Sequence, residues 1–378
     1  MDEINLEDNT NKIFETEPNA ELGESESSFS SQMQKDKFLG GSLESPKPKD
    51  EKTQTKTYEI SGTNVAVNFE ILSPKSSEQD QKPDQAIIFL PGWSVNAGMK
   101  TAEVTGQAFA EAGKQKVFII DTKPDKVVED TLYKEAEAVS RLLKEKGLKR
   151  VTIAGYSEGG IRAVDLAVIL QQNLDIAIDG VILMESAGLY DQESKKKFVG
   201  KFLKDNLVDA PPAITKPLFH FNPIPLIRGL RAGTDVIFGM VEEIARTKGN
   251  YPKRVRSQIR EMIGTQTHIA ELQAPVILIQ GENDLVSNPE KIIPGYKEMG
   301  HLAKDEITDR QFDPREKFLQ ENLFQESPYV RMVTGRKISN HVMPIARAEE
   351  VTKVSLYLLE RYRRDKTQET TSKQVSPD

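Results

Sequence analysis

Polar and apolar residues alternate across residues 57–73 around Gly62-Thr63-Asn64, the period-two pattern of two exposed antiparallel strands joined as a hairpin. Residues 76–84 form a polar loop, and beyond it the pattern changes. Continuous apolar runs at 86–90, 117–120, 151–154 and 180–184 are separated by helical stretches at 102–112, 131–146 and 161–170. Short uninterrupted runs of this kind, covered by helices, are what a parallel sheet buried on both faces requires. The alternation stops at Glu185. From 186 to 272 the chain carries helical stretches at 192–205, 228–248 and 253–263, with proline breaks at Pro211-Pro212 and 223–225. Strand patterns resume at 275–280 and 329–334, and a last helix is expected at 347–363. A helical block inserted between two strands of a parallel sheet reads as a cap or lid.

This pattern predicts an α/β fold, a mostly parallel sheet with helices on both faces. Its first part is expected over 57–185, a helical cap insertion over 186–272, and its second part over 273–365. Residues 1–56, rich in Glu, Ser, Asn, Gln and Lys, contain no apolar run able to offset the entropy of ordering, and read as a disordered acidic tail. Residues 366–378 read as a disordered C-terminus.

Charge sharpens this division. Residues 1–50 hold twelve acidic and five basic residues, a net of −7, which equals the formal net charge of the 378-residue chain. The remainder is neutral overall, so it carries no concentrated basic face of the kind nucleic acid requires. The tail lacks a basic start followed by an apolar stretch, and nowhere do 18 apolar residues follow one another, so neither a secretory signal nor a membrane span is expected. The absence of cysteine excludes disulfides, thiolate nucleophiles and cysteine metal sites. A soluble, cytoplasmic protein is the expectation; the sequence sets no oligomeric state.

Candidate chemistry centres on Gly155-Tyr156-Ser157-Glu158-Gly159, directly after the strand at 151–154 and directly before the helix at 161–170. Strand, Gly-x-Ser-x-Gly and helix in this order form a nucleophile elbow, where small neighbours allow a turn sharp enough to expose the serine. A serine hydroxyl is a poor nucleophile at neutral pH and needs a base, and that base needs an orienting acid. Of the four histidines, His220 lies in the inserted block, His268 just before its end and His301 in a polar excursion; His341 follows the final strand. C-terminal strand ends share one edge of a parallel sheet, which puts His341 on the rim with Ser157. Asp284 in Gly281-Glu282-Asn283-Asp284 follows the strand at 276–280 and is the first choice of acid. Glu185 is its main rival and Glu282 a weaker one. For the oxyanion, backbone N–H groups of Glu158 and of Trp93, in Pro91-Gly92-Trp93-Ser94, are the candidates; Trp93 also suits a packing role.

Taken together, strand–Pro-Gly-Trp, strand–Gly-Tyr-Ser-Glu-Gly-Gly, strand–Gly-Glu-Asn-Asp and strand–loop–His resemble the α/β-hydrolase superfamily over about residues 57–365. The chain departs from that pattern at two places. Many members have His-Gly where this chain has Pro91-Gly92, and Asp-x-Arg-Gly-x-Gly where it reads Asp121-Thr122-Lys123-Pro124-Asp125. The resemblance implies a serine hydrolase acting on a small-molecule ester or acyl substrate, with no cofactor and no metal. An acyltransferase or thioesterase on the same residues, and a non-catalytic binding protein of this fold, are the alternatives. The apolar, proline-broken segment at 217–227 either lines an acyl pocket or packs the cap on itself.

Overall fold

A computed structural model of the chain describes residues 52–75, 82–92, 95–126, 128, 130–189, 235, 266–281, 284, 289–294, 315–335, 341 and 343–375. The acidic tail up to residue 51, the segment at 217–227 and nearly all of the expected cap lie outside the described residues.

The hairpin pairs β1 (Gln54–Ile60) with β2 (Thr63–Leu72), Ile60 opposite Thr63. Ser61 and Gly62 make the turn with φ of 48° and 77°. Positive φ at both central residues gives the hairpin turn that matches strand twist. Two details differ from expectation. β1 begins at Gln54, inside the span assigned to the tail, because Gln54, Thr55 and Lys56 find ladder partners in Phe69, Asn68 and Val67. Only β1 is exposed: β2 pairs with β4 on its other side, and Val65, Val67 and Phe69 are fully buried.

β3 (Gln85–Leu90), α1 (Lys100–Gly113), β4 (Lys116–Pro124), α2 (Thr131–Glu145), β5 (Arg150–Tyr156), α3 (Glu158–Asn173) and β6 (Ala177–Met184) follow in alternation. After the inserted block come α4 (Gln266–Ala270), β7 (Val276–Gly281), α5 (Pro289–Ile292), α6 (Arg315–Asn322), β8 (Val330–Gly335), α7 (Met343–Ala346) and α8 (Ala348–Val375). The eight described strands lie in the order β1-β2-β4-β3-β5-β6-β7-β8, antiparallel across β1-β2-β4 and parallel from β4 to β8.

Residues 86–90 explain why an unbroken apolar run suits this position. Ala86, Ile88 and Leu90 join one core, with side chains of α2 and α3, while Ile87 and Phe89 join the other, with side chains of α1 and α8. Each fully buried Ile or Phe contributes about 1.5–3 kcal/mol, so every position of the strand is stabilising. α8 runs on to Val375, whereas the sequence pattern ended its helix at 363 and left 366–378 disordered. No Gly or Pro interrupts 348–375, and Arg361–Asp365 and Glu360–Arg363 pairs lie at helical spacing on its surface. No helix among the described residues is long and apolar enough to cross a membrane.

The register also sets where the strands end. Leu90 is level with Gly155, Tyr156 with Met184, Met184 with Ile279 and Gly281 with Gly335, so the chain leaves β3, β5, β6, β7 and β8 along one edge.

Candidate functional site

Ser157 sits where β5 turns into α3, with φ 55° and ψ −121°, a conformation an L-residue adopts only when its surroundings enforce it. Its N–H donates to the Met184 carbonyl at 3.0 Å, and its own carbonyl accepts from Gly160 at 3.0 Å and Ala187 at 3.1 Å. Two glycines permit the turn. A Cβ on Gly155 would overlap the Gly159 carbonyl and lie 2.6 Å from the Gly160 Cα; one on Gly159 would overlap the Leu90 carbonyl and lie 2.5 Å from that of Pro91. These obstacles are backbone, which no rotamer change relieves.

His341, 2% exposed, brings Nε2 within 2.8 Å of Ser157 Oγ. Its Nδ1 lies 3.0 Å from Oδ2 of Asp284, which is 1% exposed. With the ring proton on Nδ1, donated to the carboxylate, Nε2 is left to accept the serine O–H. This arrangement can take the serine proton and stabilise the resulting imidazolium.

The elbow, the carboxylate and the histidine follow β5, β7 and β8 of a parallel sheet ordered β4-β3-β5-β6-β7-β8, in chain order Ser, Asp, His. The chain has the α/β-hydrolase fold. A scan against protein-family models finds no match, and neither does a search of curated protein sequences. Among solved structures the chain is similar to an esterase from Thermogutta terrifontis, at 13% identity and TM-score 0.49, covering 82% of this chain and 98% of that one. It is also similar to the enol-lactonase from Burkholderia xenovorans LB400, at 15% identity and TM-score 0.49, covering 81% and 100%. An esterase from Exiguobacterium antarcticum has 15% identity and TM-score 0.48, covering 78% and 96%. The fold rests on the chain's own strand order and on its strand–Ser157–helix elbow.

The other residues singled out in the sequence fall as follows. Glu185 is fully buried at the end of β6 with φ 46°; its N–H donates to the Ile279 carbonyl at 2.8 Å and its Oε2 accepts from Gln280 Nε2 at 2.7 Å. It reaches the same rim as Asp284, and each of Glu185, Asp284 and His341 offers one ligand atom within 4.8 Å of the others. A cation there would have to compete with Ser157 or Asp284 for a ring nitrogen of His341. Glu158, 3% exposed, opens α3 at the positive end of the helix dipole. Trp93, Glu282, His220 and His301 lie outside the described residues. Gly92, beside Trp93, packs so closely on the elbow that a Cβ there would be 3.0 Å from the Ser157 Cβ.

His268, half-exposed on α4, is tied elsewhere: its Nδ1 lies 2.7 Å from Oδ1 of Asp165 on α3. The hydrogen bond to Asp165 raises the His268 pKa above 6.5, while burial raises that of Asp165. From the inserted block, Asp235 accepts from the Thr101 N–H at 2.9 Å and from the Thr101 hydroxyl, in the first turn of α1.

Sequence reasoning passed over two residues at the rim. The Tyr156 hydroxyl donates to the His341 carbonyl at 2.6 Å, and the two rings lie 5.4 Å apart. Gln280, 1% exposed, holds the Glu185 carboxylate. Tyr156 occupies a variable position of the elbow motif, and Gln280 is the one polar residue in the run 276–280. A polar group in a fully buried strand is the signal that was there to read.

Proposed function

We propose that the protein is a serine hydrolase that cleaves carboxylic esters with a hydrophobic acyl or alkyl part through an acyl-enzyme. In this reading Ser157 is the nucleophile, His341 the general base and then the general acid, and Asp284 the group that orients and charge-balances His341. The N–H groups of Glu158 and Trp93 receive the oxyanion. The observation that carries the reading is the buried chain Ser157 Oγ–His341 Nε2 at 2.8 Å and His341 Nδ1–Asp284 Oδ2 at 3.0 Å. His341 takes the proton as Ser157 Oγ attacks the ester carbonyl and returns it to the departing alkoxide. A water then repeats the sequence on the acyl-enzyme, releasing the acid and regenerating Ser157.

The test is labelling with a fluorophosphonate probe together with turnover of p-nitrophenyl esters of graded chain length. Wild-type protein is expected to be labelled at Ser157 and to hydrolyse at least one ester; Ser157→Ala is expected to lose both while keeping its fold. Labelling at a different serine, or turnover that survives Ser157→Ala, overturns the assignment.

A further inference from the structure

A buried ion pair outside the chain of Ser157, His341 and Asp284 joins the helix that follows the nucleophile to the loop that follows β3. Arg162 on α3 and Glu135 on α2 are 5% and 1% exposed. Arg162 Nη2 donates to the Pro91 carbonyl at 2.7 Å, and Nη1 donates to the Thr122 hydroxyl at 3.1 Å. That hydroxyl donates in turn to Glu135 Oε2 at 2.6 Å, with Arg162 Nη1 itself 4.0 Å from the same oxygen. Desolvating two charges is costly, and a separation of 4.0 Å recovers little of it, so stability is a poor account of the pair. Its output is a charged donor aimed at one neutral carbonyl, the stronger class of hydrogen bond.

Pro91 has no N–H, so its carbonyl is its only hydrogen-bonding group. Because the peptide is planar, holding that oxygen fixes the Pro91–Gly92 plane, next to a residue with no side chain to fix itself. Gly92 packs on Ser157. Further along, Val95 N–H donates to the Gly92 carbonyl at 3.1 Å, and Ala97 N–H donates to Asp121 Oδ1 at 2.7 Å. Asp121 Oδ2 in turn accepts from Asn68 Nδ2 at 2.9 Å. Pro91, one of the two places where the sequence departs from the superfamily pattern, contributes to these contacts.

We infer that Arg162 is a positioning residue: its guanidinium, steadied by Thr122 and Glu135, sets the Pro91–Gly92 peptide that packs on Ser157, the peptide that leads into the oxyanion donor proposed at Trp93. The catalytic part of this inference rests on the serine-hydrolase reading; the hold on the loop does not. Misplacing such donors by about 1 Å costs about 100-fold in rate.

Trp93 is the only tryptophan, so its fluorescence reports on this loop alone. The full chain is compared as wild type, Arg162→Met, Arg162→Lys and Arg162→Met/Glu135→Gln; the double variant removes both charges, so that the buried carboxylate does not outlast its guanidinium. Circular dichroism and urea titration establish that each is folded. In Arg162→Met and the double variant, acrylamide quenching of Trp93 is expected to rise and kcat on a p-nitrophenyl ester to fall about 100-fold, with KM changed less than about threefold. Arg162→Lys is expected to fall between, because an ammonium cannot serve Pro91 and Thr122 with a fixed fork. Wild-type quenching and kcat in a folded Arg162→Met or double variant overturn the inference. If quenching rises but the wild type has no Ser157-dependent turnover, the serine-hydrolase reading fails while the hold of Arg162 on the loop stands.

Discussion

Replacing Asp284 by Asn probes the proposed chemistry at its most specific point. The aspartate is buried and its Oδ2 accepts from His341 Nδ1 at 3.0 Å. An amide of the same shape turns one of two acceptor oxygens into a donor. If its NH2 faces the ring, Nδ1 must become the acceptor and the ring proton moves to Nε2, 2.8 Å from Ser157 Oγ. His341 then donates to the serine and cannot take its proton. If the amide oxygen faces the ring, the tautomer survives but the negative charge opposite the forming imidazolium is gone. The analogous change in the chymotrypsin-type triad costs about 10⁴ in kcat, and a loss of that size is expected here, about 5 kcal/mol of barrier. Glu185→Gln is the matched control. It is as deeply buried and lies on the same rim, but its amide oxygen can still accept from Gln280, so a loss below about tenfold is expected. Steady-state kinetics on one p-nitrophenyl ester, with urea titration to show that both variants fold, give the comparison. A larger loss for Glu185→Gln than for Asp284→Asn would refute the reasoning and move the orienting acid to the end of β6.

Tyr156→Phe removes the 2.6 Å bond to the His341 carbonyl; a stability loss of about 1–3 kcal/mol in urea titration is expected, with a fall in kcat of about tenfold as the histidine loosens. Gly159→Ala drives a Cβ into the Leu90 and Pro91 carbonyls, and a loss of about 3 kcal/mol in the same titration is expected, since neither obstacle is a side chain that can swing aside. For His268, the pKa raised above 6.5 by Asp165 means that the folded state holds a proton the unfolded state releases. The stabilisation is therefore complete below pH 6.5 and lost as pH rises through the folded-state value; burial raises Asp165 as well, and its linkage has the same sign. Urea titrations between pH 5 and pH 9 (roughly the range over which a histidine titrates) are expected to show this decline in wild type and a flatter profile in His268→Gln.

The sheet was legible because its signals are local. The run 86–90 is apolar at every position since both faces of β3 are covered, and the glycines flanking Ser157 announce a turn no other residue tolerates. What stayed hidden depends on pairs distant in sequence. Arg162 reads as an ordinary charge on a helix until α2 brings Glu135 beside it and β3 brings the Pro91 carbonyl. Tyr156 reads as filler in a motif until β8 delivers His341, 185 positions along the chain. The end of α8 was missed for the opposite reason: residues 364–370 are exposed and show no apolar stripe, yet no Gly or Pro stops the helix there and a surface pair, Arg361–Asp365, lies at helical spacing where it runs on.

The neighbours β6 and β7 are joined through residues 185–275, and the Val181 N–H still meets the Pro275 carbonyl at 2.8 Å. Closing roughly ninety residues in place of a dozen costs about 2 kcal/mol more in chain entropy, due before any contact across β6 and β7 repays it. Contact order therefore splits assembly in two. Strands β1 to β6, joined by short local connections, are free to collapse early, and β7 with β8 dock last. Ser157 and its strained turn belong to the early half, whereas Asp284 and His341 arrive only with the late one. In this order of assembly Ser157 takes up its turn before Asp284 and His341 can reach it, and they meet it only when the last two strands are in register.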